Sequence, residues 1–166
     1  MYHDVLIPTD GSDAATAAVA HAVDHAVRYD AALHVLHVVD SVAVPPTPNG
    51  GRVLEALEQQ GRAAIERIAR QAETSGIDTI ESAVASGPPH TAILDYVDEH
   101  GIDLVVMGTH GRRGLDRVLI GSVTERVVRL ADVPVLTVHP AAEVDDEPPV
   151  TDAEPADDEA ATGLSH

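Results

Sequence analysis

At 166 residues the chain is long enough for one domain with a sizeable core, and it is too short for two of ordinary size. It holds no cysteine, which excludes disulfides, thiolate metal sites and Cys nucleophiles. Asp and Glu number 28 against ten basic residues, all Arg, and the resulting charge of −18 makes nucleic acid and anionic membranes poor partners, because neutralising phosphates takes a basic patch.

Residues 2–8 read as a first strand, with Val5-Leu6-Ile7 apolar and Pro8 ending it. Thr9-Asp10-Gly11-Ser12-Asp13 is a turn into a helix over about 13–29, with Ser12 as N-cap and Asp13 suited to the first turn. Its expected buried side is Ala17, Ala20, Ala22, Val23, Ala26 and Val27. A second strand, Ala32 to Val39, sets Leu33 and Val35 against His34. A proline-rich loop, 40–51, follows on the expected ligand side. The next helix, about 52–75, carries Val53, Leu54, Leu57, Ala64, Ile65, Ile68 and Ala69 as its stripe and stops at Gly76. A weakly alternating strand, 78–85, has the look of a sheet edge. Gly87-Pro88-Pro89 then opens a helix with the stripe Ile93, Leu94 and Val97, ending near Gly101. The run Leu104-Val105-Val106-Met107 is a fourth, buried strand, and Val133 to His139 is a fifth. Strands alternating with helices imply a parallel sheet covered on both faces.

From Ala141 onward nine acids occur with no Lys or Arg, and too few large apolar residues to fold. The expected organisation is therefore a domain over 1–140 and an acidic, disordered tail over 141–166. An acidic surface without lysine suits a halophile's cytoplasm, where salt screens self-repulsion. No apolar run approaches the roughly 20 residues of a membrane helix, and Met1-Tyr2-His3-Asp4 lacks the pattern of a signal peptide. A cytoplasmic location is expected.

Between the fourth strand and the helix beginning near Ser122 lies Gly108-Thr109-His110-Gly111-Arg112-Arg113-Gly114-Leu115-Asp116-Arg117-Val118-Leu119-Ile120-Gly121-Ser122-Val123-Thr124. Strand, glycine-rich loop and helix N-terminus together favour a phosphate: glycines let the backbone approach, and the first helical N–H groups and the helix dipole attract negative charge. A P-loop needs Lys beside Ser or Thr, and the chain has no Lys; G-x-G-x-x-G is not the spacing found either. The pattern Gly108-x2-Gly111-x9-Gly121-Ser122 resembles the ATP-binding signature of the universal stress protein family. The opening Val5-Leu6-Ile7-Pro8-Thr9-Asp10-Gly11-Ser12 and the closing Val133-Pro134-Val135-Leu136-Thr137-Val138 resemble that family's first and last strands, so the likeness covers about residues 2–140.

The resemblance implies a Rossmann-like α/β fold, an open five-stranded parallel sheet of order 3-2-1-4-5 with helices on both faces. The winding then reverses between strands one and four, opening a crevice at their C-terminal ends. Pro8 and Thr9 are expected to line it, and Asp10 to contact ribose or hold a Mg²⁺ near the phosphates. The bland reading of Asp10 is a cap on the first helix. Val39, or Val38 one residue earlier, is expected to read adenine through its backbone, and Met107 to line base or ribose. Gly108, Gly111, Gly121 and Ser122 would carry phosphate and ribose contacts, against the alternative of a tight turn with no ligand. Ser122, Val123 and Thr124 would present helix N–H groups and hydroxyls. Arg112 and Arg113 are expected to be solvated or paired with acids, and Gly114 to serve the turn.

The histidines make a weak metal case. His21 and His25 share a helix face but lack a third ligand, while His34 and His37 point to opposite faces of a strand. His110 reads as a loop residue. With no Lys and no evident base, the motif supports binding more than turnover. The leading expectation is an ATP-binding (or ADP- or AMP-binding) stress-response regulator, homodimeric through its last strand, whose apolar edge would be hazardous unpaired. The alternatives are a slow Mg²⁺-dependent ATPase or self-phosphorylating protein with Ser122 or Thr124 as acceptor, and a nucleotide-free interaction module.

Overall fold

The computed structural model describes residues 1–109 and 120–139. Five strands, β1 (Asp4–Thr9), β2 (Ala32–Val39), β3 (Ile80–Ser86), β4 (Leu104–Gly108) and β5 (Val135–Val138), form one parallel sheet of order β3-β2-β1-β4-β5. Four helices connect them: α1 (Asp13–Tyr29), α2 (Gly50–Thr74), α3 (Pro89–His100) and α4 (Ser122–Leu130). The expected fold class and strand order are both found. The acidic tail and Gly111 lie outside the described residues.

The sheet separates two cores, and alternation along each strand decides which side chain joins which. Val5, Ile7, Leu33, Val35, Leu104 and Val106 pack with α1 and α2, whereas Leu6, Leu36, Val105 and Met107 pack with Ile93, Tyr96 and Val97 of α3 and Val127 of α4. Because β1 and β4 are covered on both faces, they read as continuous apolar runs, and β2, which carries His34 and His37, is covered on both faces as well. His34, which the alternation sets against Leu33 and Val35, is buried for that reason. It is 2 % exposed, with Nδ1 3.1 Å from the Tyr96 hydroxyl and Nε2 3.1 Å from Asp4 Oδ1. His37 lies on the opposite face, as its strand position requires.

Other departures are local. In α1 the buried residues are Ala14, Ala15, Ala18, Val19, Ala22, Val23 and Ala26, while Ala20 and Val27 face outward. The helix is alanine-rich on all sides, so its pattern sets the phase weakly; the cap sets it instead, Ser12 Oγ accepting from Ala15 N–H at 3.2 Å. Helix α2 begins at Gly50, and a 3-10 turn at Ser41–Ala43 interrupts the preceding loop. Val53, Leu54 and Leu57, expected in the stripe, lie outside the core; after Gly50, burial in α2 resumes at Gly61 and continues through Ile65, Ile68 and Ala72. Tyr96 replaces Leu94 on the buried side of α3. Strand β5 is shorter than expected and starts after Pro134, whose carbonyl receives the Val105 N–H at 3.0 Å.

Candidate functional site

β1 and β4 are adjacent and parallel, so their C-terminal ends emerge side by side, where the connections leave in opposite directions. The turn after β1 is held by its own side chains. Gly11 N–H donates to Thr9 Oγ1 at 3.2 Å and Ser12 N–H to Asp10 Oδ1 at 3.0 Å, with Gly11 at φ 76°, which only glycine adopts without strain. Asp10 therefore does help shape the turn into α1, as the bland reading supposed, and it also lines a cavity.

That cavity measures about 790 Å³, within the range of small-molecule sites. It is lined by Pro8, Thr9, Asp10, Val39, Met107, Gly108, Gly121, Ser122, Val123 and Thr124, ten of the eleven positions singled out in the sequence. The eleventh, Gly111, is not among the described residues. Residues from β1, β2, β4 and α4, far apart in the chain, thus share one wall.

Gly108 is required by packing alone. A Cβ there would lie 2.5 Å from the Ala14 carbonyl carbon and 2.7 Å from Ala15 N, so β4 and the first turn of α1 touch backbone to backbone. At α4, Gly121 occupies the N-cap without a capping side chain, and the first intrahelical bond is Glu125 N–H to Gly121 O at 2.9 Å. The N–H groups of Ser122, Val123 and Thr124 precede that bond and have no acceptor within the helix. Gly121 N–H itself binds Thr109 O, and Thr109 N–H binds Val138 O at 2.9 Å, so both ends of the glycine loop are pinned to the sheet.

The family model described as the universal stress protein family matches residues 1–139. The chain belongs to the universal stress protein family. A universal stress protein of Methanocaldococcus jannaschii is 37 % identical over 141 residues, covering 83 % of this chain and 82 % of that one. The universal stress protein YxiE of Bacillus subtilis is 30 % identical, covering 84 % of this chain and 100 % of its own. Among solved structures, the universal stress protein UspA from Lactobacillus plantarum aligns with a TM-score of 0.77 at 33 % identity, over 82 % of this chain and 97 % of that one. A universal stress protein solved in complex with cAMP aligns with a TM-score of 0.63 at 28 % identity, over 84 % of this chain and 98 % of that one.

Within this universal stress protein cavity two side chains stand differently from expectation. The Thr124 hydroxyl is buried and donates to Gly108 O at 2.8 Å, so it ties α4 to β4 and is not offered to a ligand. Val39 is 2 % exposed and its carbonyl accepts from Gly87 N–H at 3.0 Å, on the β3 side. Backbone groups of successive strand residues face opposite neighbours, so those of Val38 face β1. The β1 register ends at Thr9 opposite His37, one residue short of Val38. Val38, which also lines the cavity, is thus the better placed of the two valines to offer its backbone.

Ala43, Val44, Pro45 and Thr47 of the β2–α2 connection line the cavity, on the ligand side where that loop was expected. The sequence reading missed the rest of the wall, Val53 and Leu57 of α2 and Pro89 and Ile93 of α3. The signal available was the mismatch of α2 itself: a stripe whose first turns have apolar residues but no core beneath them. His37 and Asp40 also line it. Among the described lining residues the charged side chains are Asp10 and Asp40, and Asp40 Oδ1 accepts from Ala43 N–H at 3.2 Å. No three His, Asp or Glu side chains among the described residues are grouped to hold a metal ion, and no helix there is long and apolar enough to cross a membrane.

Proposed function

We propose that this universal stress protein is an ATP-binding, homodimeric regulator that responds to its nucleotide and does not turn it over rapidly. The observation that carries the reading is the convergence of Pro8-Thr9-Asp10, the end of β2 and Gly108 with Gly121–Thr124 on one cavity at the C-terminal ends of β1 and β4. Its volume, its apolar wall and the N–H groups opening α4 fit an adenine nucleotide: base between Val38, Met107 and the α2 side, phosphates at Ser122 and Val123. The relative solved with cAMP supports the adenine preference. Gly111 completes the phosphate end by resemblance.

A Mg²⁺ would be held chiefly by the phosphates, with the Asp10 carboxylate as the protein's contribution. Turnover would need a nucleophile and a base, and the described wall offers neither as a matched pair. Of the two hydroxyls considered as phosphoryl acceptors, only Ser122 is exposed to the cavity, so a self-phosphorylating form would use Ser122. The domain over 1–140 carries this site, and the tail over 141–166 is read as an acidic appendage to it.

The test is purification in molar salt, denaturation, and chromatography of the released nucleotide. Stoichiometric ATP is the expected result. ADP in its place, with phosphate release that vanishes in Asp10→Ala, would convert the reading to a slow ATPase. A protein that arrives empty and fails to bind ATP with Mg²⁺ overturns the site.

A further inference from the structure

One buried side chain of the cavity wall has no part in the family signature. His37 is 5 % exposed, lines the cavity, and has Nδ1 2.8 Å from the carbonyl oxygen of Thr9. A carbonyl only accepts, so Nδ1 carries the hydrogen and donates it. Thr9 is the last residue of β1, and the next residues form the turn that presents Asp10. The imidazole therefore grips the strand at the point where it becomes the binding turn.

The ring in turn needs a place under α2, and the helix supplies it by omission. A Cβ on Gly61 would stand 2.2 Å from His37 Cδ2, 2.7 Å from Cγ and 2.8 Å from Nε2. Gly61 lies in the middle of a 25-residue helix, where glycine is a handicap unless something must come close. Here that something is the imidazole, and Gly61 is the first buried position of α2 after Gly50. The same helix carries Val53 and Leu57 to the cavity.

We infer that His37 is a positioning residue of the nucleotide site: its Nδ1–H holds the Thr9 carbonyl and so fixes the Thr9–Ser12 turn, in a slot that Gly61 keeps open under α2. The inference rests on the nucleotide reading for its consequence, although the geometry it describes does not. Removing the donor while keeping bulk, as in His37→Leu, loosens the turn and weakens ATP binding. His37→Asn places an N–H near the original Nδ1 and restores it. Gly61→Ala expels the ring and copies the His37→Leu defect despite the better helix propensity of alanine.

The experiment is calorimetric titration of the full-length protein with ATP and Mg²⁺, alongside amide hydrogen exchange at Gly11 and Ser12 without nucleotide. We expect affinity to fall about tenfold in His37→Leu and Gly61→Ala, the value of one buried hydrogen bond, and to stay within about threefold in His37→Asn. Exchange at Gly11 and Ser12 should quicken in the first two variants and not in the third. In a His37→Ala background, adding Gly61→Ala should cost nothing further, since the clash is gone; an additive loss overturns the pairing. Folded His37→Leu protein with unchanged exchange overturns the inference even if ATP binds. If wild-type protein binds no ATP, the nucleotide reading falls, and amide exchange alone then decides whether His37 holds the turn.

Discussion

Gly108 and Ser122 both belong to the glycine signature, yet they are there for different reasons, and stability against affinity separates them. A Cβ at Gly108 meets backbone atoms of Ala14 and Ala15, which have no side-chain freedom with which to retreat. Gly108→Ala should therefore destabilise the apo protein by about 1–3 kcal/mol, the range for forced overpacking, and lower its melting temperature by about 2–4 °C per kcal/mol. Ser122→Ala, at an exposed position on the cavity, should leave melting unchanged and weaken ATP binding alone. Equal apo stability of Gly108→Ala and wild type would show that the contact is not tight. A second residue, Tyr96, bears on alkaline behaviour. Burial lifts its phenol above the ordinary 10.0, and the Glu81 carboxylate adds to the lift. A folded value above the unfolded one gives stability that is complete below about pH 10 and is lost as pH rises through the folded value. Tyr96→Phe forfeits the contact with His34 Nδ1 and so starts from a lower stability, but its denaturation midpoint should decline less between about pH 9 and 11 than that of wild type. Parallel curves would exclude Tyr96 as the source.

At the scale of elements, β5 is, like β3, an edge strand with no further strand paired to it among the described residues, and its polarity can be worked out from the carbonyls. Pro134 O and Val138 O both face β4, accepting from Val105 and Thr109 N–H. Alternation then turns the Thr137 N–H away from β4, toward the edge where a second copy would pair. Thr137→Pro removes that one outward donor and spares the β4 ladder, so it should yield a folded monomer while wild type sediments as a dimer. A wild-type monomer at micromolar concentration ends the dimer reading. The same alternation explains why the strands were legible in the sequence: Val5-Leu6-Ile7 and Leu104-Val105-Val106-Met107 serve two cores at once and read as uninterrupted apolar runs. The meeting of Thr9-Asp10 with the start of the glycine loop was legible through the family resemblance, since the strand order it implies brings β1 and β4 together. Helix faces were less so. An alanine-rich α1 carries little contrast between its sides, and the first turns of α2 spend their valine and leucine on the cavity wall. Backbone registry, which separates Val38 from Val39, leaves no mark in side-chain pattern at all.

For the molecule as a whole, the charge bears on the ligand more than on the fold. Ion pairs between Arg and Glu among the described residues, Glu66 with Arg70 and Glu125 with Arg129, join residues one turn apart on the same exposed helix, and such pairs contribute a few tenths of a kcal/mol at most. They fasten no element to another. The net charge of −18 therefore acts as a field of one sign, which ATP bound at the proposed site would have to enter. Within the described wall the field is reinforced by Asp10 and Asp40 and opposed by no Lys or Arg, so in the proposed complex the phosphates would meet the α4 N–H groups against a repulsive background. Salt should then strengthen binding instead of weakening it. The Debye length shrinks from about 10 Å at 0.1 M to about 3 Å at 1 M, which removes long-range repulsion but leaves contact hydrogen bonds intact. Titrating ATP with saturating Mg²⁺ into the protein across that range of KCl should show affinity rising and the association rate rising with it. The opposite slope, tighter binding at low salt, would mean that arginines of the 110–119 segment outweigh the acids and that the phosphates are gripped by side chains. Asp40→Asn separates the two cases further, because in the first it should raise low-salt affinity and flatten the salt dependence, and in the second it should do neither.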